Sequence, residues 1–310
     1  RLSDAEGLKN KMFATQENIA YFLIDKKDDE RLKKTLIGFS ANIFRIQTEN
    51  DDIPREFINK AYRPYFAIFH KLITGGGDQL LKDAFAIVAD LWVSVKNNHY
   101  DENNIFMAKF VEHIITTWYF KHNKLPDEAF LDLLVRISDI ILSVEKNDIL
   151  INDAYTRIVT QIGEKSPDAA ITFYKKLFFR GKGSLLKTPG ANFAELKYSI
   201  LTKLLNAQTE EYIGNNTQEI LELRYDAVQG YISANKGYAK PLLGQYAAQI
   251  FQKDLMSMKD ICGTYINLIY FCLKNDNHKC IYWILREFYV NVYSVCEDEK
   301  KKEDLLELFI

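Results

Sequence analysis

The chain has 310 residues, of which 47% are hydrophobic, 13% aromatic and 26% charged, and its formal net charge is −2. This composition can bury a large core, which excludes an intrinsically disordered chain. The 14 glycines and 6 prolines are too few for the turns of a many-stranded β protein. The small net charge gives no overall reason to expect nucleic acid or an anionic membrane as a partner.

Helix-start signals recur about every 24 residues through the first half of the chain. Each signal is followed by an amphipathic stretch of roughly 20 residues and then by polar or flexible residues. The residues that open these stretches are Ser3, Asp28, Pro54, Asp78, Asp101 and Pro126. The spacing predicts antiparallel helical hairpins. Two such helices form a unit of about 48 residues, which resembles the hairpins of HEAT and armadillo proteins in length.

The stretch after Pro126 shows the helical period most clearly. Its apolar side chains fall three and four residues apart, on one helix face, at Phe130, Leu133, Leu134, Ile137, Ile141 and Val144. Asp127 and Glu128 follow the proline, where negative charge is favourable for the first turn of a helix. In the third stretch Pro64 is expected to kink the helix or to split it near Ala61.

The regular spacing is lost after Ile149. Shorter helices are predicted there, and the longest non-helical candidate is the segment 181–192. We therefore expect an N-terminal helical-hairpin array at 1–180 and a C-terminal helical subdomain at 193–310, or one continuous domain. Beyond the loop, helices are predicted at 193–207, 217–234, 241–255, 258–274 and 278–296, followed by a terminal helix. The predicted fold class is all-α: stacked antiparallel helical hairpins, α-solenoid-like, with about 12–13 helices, or alternatively a compact irregular helical bundle.

The segment 175–187 combines positive charge with aromatic residues and glycines. Its cationic side chains are Lys175, Lys176, Arg180, Lys182 and Lys187. Such a mixture suits a phosphate, a lipid head group or single-stranded nucleic acid. The simpler interpretation is a basic last turn that complements the helix dipole, with the aromatic side chains in the core.

Arg63 and His70 lie seven residues apart and therefore near one face of the third predicted helix. An Arg-x(4–6)-His pair on a helix resembles the motif of the HEPN ribonucleases. The resemblance implies that Arg63 and His70 would handle the scissile phosphate of an RNA. The residue after the arginine is Pro64, which departs from the polar residue often found there. The alternative is that His70 is an ordinary half-buried helix residue.

The helix predicted at 278–296 is apolar on two faces. One face carries Ile281, Ile284, Leu285, Phe288 and Val292, and the other carries Tyr282, Trp283, Tyr289, Val290 and Tyr293. A helix of this kind is either enclosed between two layers of a core or presents its second face to a partner. Tyr282, Trp283, Tyr289 and Tyr293 are therefore the candidate protein-binding residues.

No metal, cofactor or nucleophile motif stands out. The cysteines Cys262, Cys272, Cys280 and Cys296 contain no CxxC pair, and the five histidines contain no HExxH motif. We expect four buried free thiols in a reducing compartment. No secretory signal and no stretch of about 20 apolar residues is visible, which favours a cytoplasmic protein. Because the chain begins with Arg1, we expect it to be part of a longer protein, and an upstream membrane anchor stays an open alternative.

The sequence therefore favours a non-catalytic, intracellular helical scaffold or regulatory domain that binds another protein. Two alternatives remain: a binder of nucleic acid or an anionic ligand through the segment 175–187, and a HEPN-like ribonuclease. No cofactor is expected, and neither the partner nor the oligomeric state follows from the sequence.

Overall fold

The structure is a computed structural model, and it describes residues 2–49, 55–75, 77–95, 100–142, 149–178, 191–234 and 257–309. The described residues form α-helices joined by short turns and contain no strand, so the predicted all-α class is confirmed. The chain divides into two compact units, unit 1 at 1–180 and unit 2 at 181–310. That these units are independent domains stays a prediction. Among the helices of the described residues, none combines the length and the apolar character needed to cross a bilayer.

Unit 1 contains eight described helices: α1 (Leu2–Lys26), α2 (Asp29–Glu49), α3 (Arg55–Gly75), α4 (Asp78–Val95), α5 (Tyr100–His122), α6 (Glu128–Leu142), α7 (Ile149–Gly163) and α8 (Pro167–Phe178). Each odd-numbered helix packs on the next odd-numbered one, and each even-numbered helix packs on the next even-numbered one. Within each hairpin, α1 packs on α2, α3 on α4, α5 on α6 and α7 on α8. The result is two layers of stacked hairpins, as the spacing of the helix starts predicts.

Polar side chains cap the starts of α2 and α6. Asp28 Oδ1 accepts a hydrogen bond from the backbone N–H of Arg31, at 3.2 Å. Asp127 Oδ1 accepts one from the backbone N–H of Phe130, at 3.0 Å. These contacts satisfy donors that a helix start leaves without a partner. Pro64, by contrast, does not split its helix, because α3 continues through it from Arg55 to Gly75.

An aromatic cluster forms the centre of unit 1. Tyr62 of α3 and Phe106 of α5 stack with their ring centroids 3.6 Å apart. The Phe110 ring, fully buried, lies within 6.1 Å of five other aromatic rings, those of Tyr65, Phe66, Phe69, Phe85 and Phe106. The buried hydroxyl group of Tyr62 donates a hydrogen bond to Asn103 Oδ1 at 2.6 Å. This cluster joins α3 and α5 by both apolar packing and a buried polar contact.

Ion pairs link helices that lie one hairpin apart. Their partners are 44 to 50 residues apart in the sequence, which is about the length of one predicted hairpin. The pairs are Lys33–Asp83, Lys82–Asp127 and Lys176–Asp132 between even-numbered elements, and Lys71–Asp25 and Arg157–Glu112 between odd-numbered ones. The same type of contact thus recurs at successive interfaces of unit 1.

Unit 2 contains six described α-helices: α9 (Ala191–Asn206), α10 (Glu210–Asn215), α11 (Thr217–Ala234), α12 (Met258–Lys274), α13 (His278–Phe288) and α14 (Glu299–Phe309). The predicted helix at 241–255 lies outside the described residues. Helix α9 packs on α11, while α12 packs on α11, α13 and α14. All four cysteines are buried free thiols. The short helix α10, which begins at the capping residue Thr209, was not predicted.

Helix α13 continues into a π-helical turn, Tyr289–Tyr293. In this turn the backbone N–H of Ser294 donates to the carbonyl of Tyr289, five residues earlier, at 2.8 Å. The buried side chains of the two segments are spaced four residues apart: Cys280, Ile284, Phe288 and Val292. Since an α-helix has 3.6 residues per turn, the wider π turn keeps Val292 close to the line of the preceding buried residues.

Candidate functional sites

The face of α13 opposite its buried line carries a row of exposed apolar side chains. Tyr282 is 64% exposed and Tyr289 is 58% exposed, and Leu285 lies between them. Their spacing of three and four residues places them on one side of the helix. We call this row, together with the neighbouring Trp283 and Val290, the aromatic stripe: Tyr282, Trp283, Leu285, Tyr289 and Val290.

The aromatic rings of the stripe contact one another and two neighbouring side chains, Arg286 and Tyr293. Tyr282 and Trp283 meet edge to face with ring centroids 5.8 Å apart. The guanidinium carbon of Arg286 lies 5.6 Å from the centroid of the Trp283 ring, within the range of a cation–π contact. Tyr289 stacks on Tyr293 at 5.5 Å. Of the predicted protein-binding residues, Tyr282, Trp283 and Tyr289 are exposed and Tyr293 is half-buried. Leu285, which the sequence analysis placed on the other apolar face, is exposed as well, and Ile281 of that face is half-buried.

The basic segment 175–187 is described only in part. Lys176 Nζ lies 2.9 Å from Asp132 and 3.2 Å from Glu128, both on α6. The hydrogen bond to Asp132, followed by that to Glu128, raises the pKa of Lys176 despite the opposing effect of burial. Lys175 is half-buried. The predicted ligand-binding residues Arg180, Lys182 and Lys187 lie outside the described residues. The charge of Lys176 is thus already engaged in joining α6 and α8.

Arg63 and His70 are both exposed on α3, two helical turns apart. The structure brings a different residue, His113 of α5, next to His70: their ring centroids are 5.8 Å apart. His113 is half-buried, and its Nε2–H donates a hydrogen bond to the backbone carbonyl of Phe66 at 3.1 Å. Its ring also packs edge to face against the Phe66 ring. Burial, and then the nearby charge of His70, lower the pKa of His113.

His113 was not among the residues predicted from the sequence, although the sequence contains a signal for it. His70 and His113 are 43 residues apart, close to the separation of the ion-paired residues that join successive hairpins. Residues one hairpin apart on helices of the same layer become neighbours when the hairpins stack. A histidine repeated at the hairpin length therefore indicates a pair of neighbouring imidazoles.

Larger metal-binding clusters and reactive thiols were also sought among the described residues. The described residues contain no group of three or more histidines, cysteines or carboxylates that could hold a metal ion. Burial raises the pKa of Cys262 to about 11 and that of Cys272 to about 12. Thiols with such values are weak nucleophiles and weak metal ligands near neutral pH, because the thiolate is the reactive form.

We compared the chain with protein-family models, with curated proteins and with solved structures, and none of them gave a significant match.

Proposed function

We propose that this chain is a non-catalytic helical scaffold or regulatory domain that binds another protein through the aromatic stripe of α13. The observation that carries the proposal is that α13 has two apolar faces, of which one is buried and the other is exposed. The predicted helical-repeat character and an intracellular location belong to the same proposal. In this view the stacked hairpins of unit 1 serve as a rigid framework.

The composition of the stripe supports a protein partner. Tyrosine, tryptophan and arginine are enriched at the centres of protein interfaces, where they bury large areas with few rotatable bonds. The stripe presents Tyr282 and Tyr289 with Trp283, and the exposed Arg286 borders them. Lys279 is exposed on the same helix. We therefore expect the partner to offer an apolar helix face flanked by acidic side chains.

The two alternatives have weaker support. Lys176 is already paired with two carboxylates of α6, so a phosphate would have to compete with Asp132 and Glu128 for it. For the ribonuclease hypothesis, the resemblance still covers only Arg63 and His70. Both of these side chains are exposed to solvent rather than held in an environment that excludes water.

A comparison of three forms of the chain tests the proposal. The stripe variant combines Tyr282→Ser, Leu285→Gln and Tyr289→Ser. The matched control combines Phe22→Ser, Ile37→Gln and Phe120→Ser, which removes three exposed apolar side chains of unit 1. Each form is used to capture partners from native lysate, and circular dichroism checks that each remains folded.

The proposal expects one protein in stoichiometric amount with the wild-type chain and the control, and its loss from the stripe variant. It is contradicted if no stoichiometric partner is captured, or if the stripe variant retains the same partner. A partner that is lost only from the control would move the interface to unit 1 and would also contradict the proposal.

A further inference from the structure

His70 and His113 have the separation expected of two imidazoles that share one metal ion. An imidazole nitrogen binds zinc at about 2.0–2.1 Å, so two rings on one ion place their centroids about 4.5 to 6.5 Å apart, depending on the angle between the two ligands. The observed separation is 5.8 Å, with an angle of 35° between the ring planes. The two rings come from α3 and α5, which pack directly on each other. The pair is therefore held by the stacking of two hairpins.

The hydrogen bond of His113 leaves one ring nitrogen suitable for a metal. The backbone carbonyl of Phe66 can only accept, so Nε2 of His113 must carry the proton, and the lone pair lies on Nδ1. Metal-binding histidines typically donate their other ring nitrogen to a carbonyl or a carboxylate, which sets the tautomer and the ring orientation. The edge contact with the Phe66 ring further restricts the imidazole.

The surroundings define which ion this pair would accept. His70 is exposed, so water can reach the ion and complete its coordination. The carboxylate of Glu112 beside His113 is paired with Arg157, and Lys71 beside His70 is paired with Asp25. Two imidazoles with water suit a transition-metal ion such as Cu²⁺, Ni²⁺ or Zn²⁺, whereas Ca²⁺ and Mg²⁺ prefer oxygen ligands.

We propose that His70 and His113 form a two-histidine site for a divalent transition-metal ion, with water at the remaining coordination positions. The site is independent of the aromatic stripe, because it lies in unit 1 and uses none of the same residues. An exposed pair of this kind can also attract an anion when it is protonated. Phosphate binding is therefore the competing outcome of the test.

The test titrates the untagged full chain with Cu²⁺ at pH 7.5 by calorimetry and records the electron paramagnetic resonance spectrum of the bound copper. The variants are His70→Ala, His113→Gln and the matched control His278→Ala, which removes an exposed histidine of unit 2. Glutamine at position 113 keeps a donor for the Phe66 carbonyl. His70→Ala changes only an exposed side chain and therefore tests the site even if the other variant does not fold.

The expected result is one Cu²⁺ per chain with two nitrogen ligands in the spectrum. His70→Ala and His113→Gln should each weaken binding by at least about tenfold, while the control should bind as the wild type does. The proposal is overturned if no stoichiometric binding occurs, or if the control loses as much affinity as His70→Ala. Binding of inorganic phosphate that depends on His70, without bound copper, would also overturn it.

Discussion

Unit 1 and unit 2 differ in how completely the apolar faces of their helices are buried. In unit 1 the main contacts of each helix are with its hairpin partner and with the next helix of its own layer, so most of its apolar side chains are buried, and those left exposed, such as Phe22 and Phe120, are scattered over different helices. In unit 2 the helix α13 has two apolar faces, and only the line from Cys280 to Val292 is buried. An apolar residue of this chain is therefore a core residue only where a second helix covers it.

Phe110 and Tyr289 represent the two cases. Phe110 is completely buried among other aromatic rings, whereas Tyr289 is 58% exposed and stacks on a single neighbour, Tyr293. The first side chain contributes to folding through burial and packing. The second contributes little to folding, and its exposed surface remains available for binding.

The largest effect on stability is expected from truncating Phe110, and truncating Tyr289 provides the contrast. Phe110→Ala removes a ring from the centre of the aromatic cluster and should lower the free energy of unfolding by about 3–5 kcal/mol. Tyr289→Ala should change it by no more than about 0.5 kcal/mol. Chemical denaturation of the full chain measures both. Equal losses for the two variants would show that the stripe is part of the core.

The buried polar contact between α3 and α5 should have a smaller effect. Asn103→Ala removes the acceptor of the Tyr62 hydroxyl and should destabilise the chain by about 1–3 kcal/mol. Asn267→Ala on α12, where the side chain is exposed, serves as the matched control. The two variants are compared by thermal and chemical unfolding. If Asn103→Ala is as stable as the control, the buried contact does not help to join the hairpins.

His113 should make the stability depend on pH. Burial and the nearby charge of His70 lower the pKa of His113 in the folded chain, so the unfolded chain binds the proton at higher pH. Its contribution is therefore present above the unfolded pKa of about 6.5 and is lost as the pH falls below that value. Unfolding midpoints measured from pH 8 to pH 5 should fall less steeply for His113→Gln than for the wild type. If the unfolding midpoints of the two proteins fall equally steeply with pH, His113 is not a source of the pH dependence.

The ion pairs between hairpins should have the smallest effect. Arg157 makes two hydrogen bonds to Glu112, at 2.7 and 3.1 Å, but its side chain is 47% exposed. Arg157→Met should therefore cost less than about 1 kcal/mol, and the loss should shrink in high salt. A double-mutant cycle with Glu112→Gln isolates the pair. A coupling energy of several kcal/mol would mean that ion pairs, rather than apolar packing, hold the hairpins together.

Much of the secondary structure follows from local signals. Asp28 caps the helix that it was expected to begin, because a side-chain oxygen three residues before a backbone donor depends only on the local chain. The sixth helix was expected to open at Pro126, and its cap is the next residue, Asp127. For Pro64 the alternative of a split near Ala61 was wrong, while the kink stays a prediction. The helix continues through it, and the buried environment of Pro64 within α3 is a property of the packed unit. The helix α10 and the π turn at 289–293 also escaped prediction.

The candidate sites were predictable to different degrees. Tyr282, Trp283 and Tyr289 were identified because two apolar faces on one helix are visible in the sequence. His113 was missed, because a single histidine attracts no notice by itself. Its 43-residue separation from His70 becomes informative only when it is compared with the length of one hairpin. For Lys176 the positive charge was visible, but its partners Asp132 and Glu128 lie more than 40 positions earlier in the sequence.

Local signals in the sequence are enough to specify that this chain is helical and where most of its helices begin, because caps, apolar spacing and turn residues act over a few positions. The tertiary structure decided which of the two apolar faces of α13 is buried, which lysines are paired and which histidines are neighbours. The lysine and histidine pairs depend on contacts between side chains about 40 to 50 positions apart, and such contacts exist only once the hairpins have stacked. The buried face of α13 depends instead on its packing against α12, where the Tyr265 ring meets the Phe288 ring.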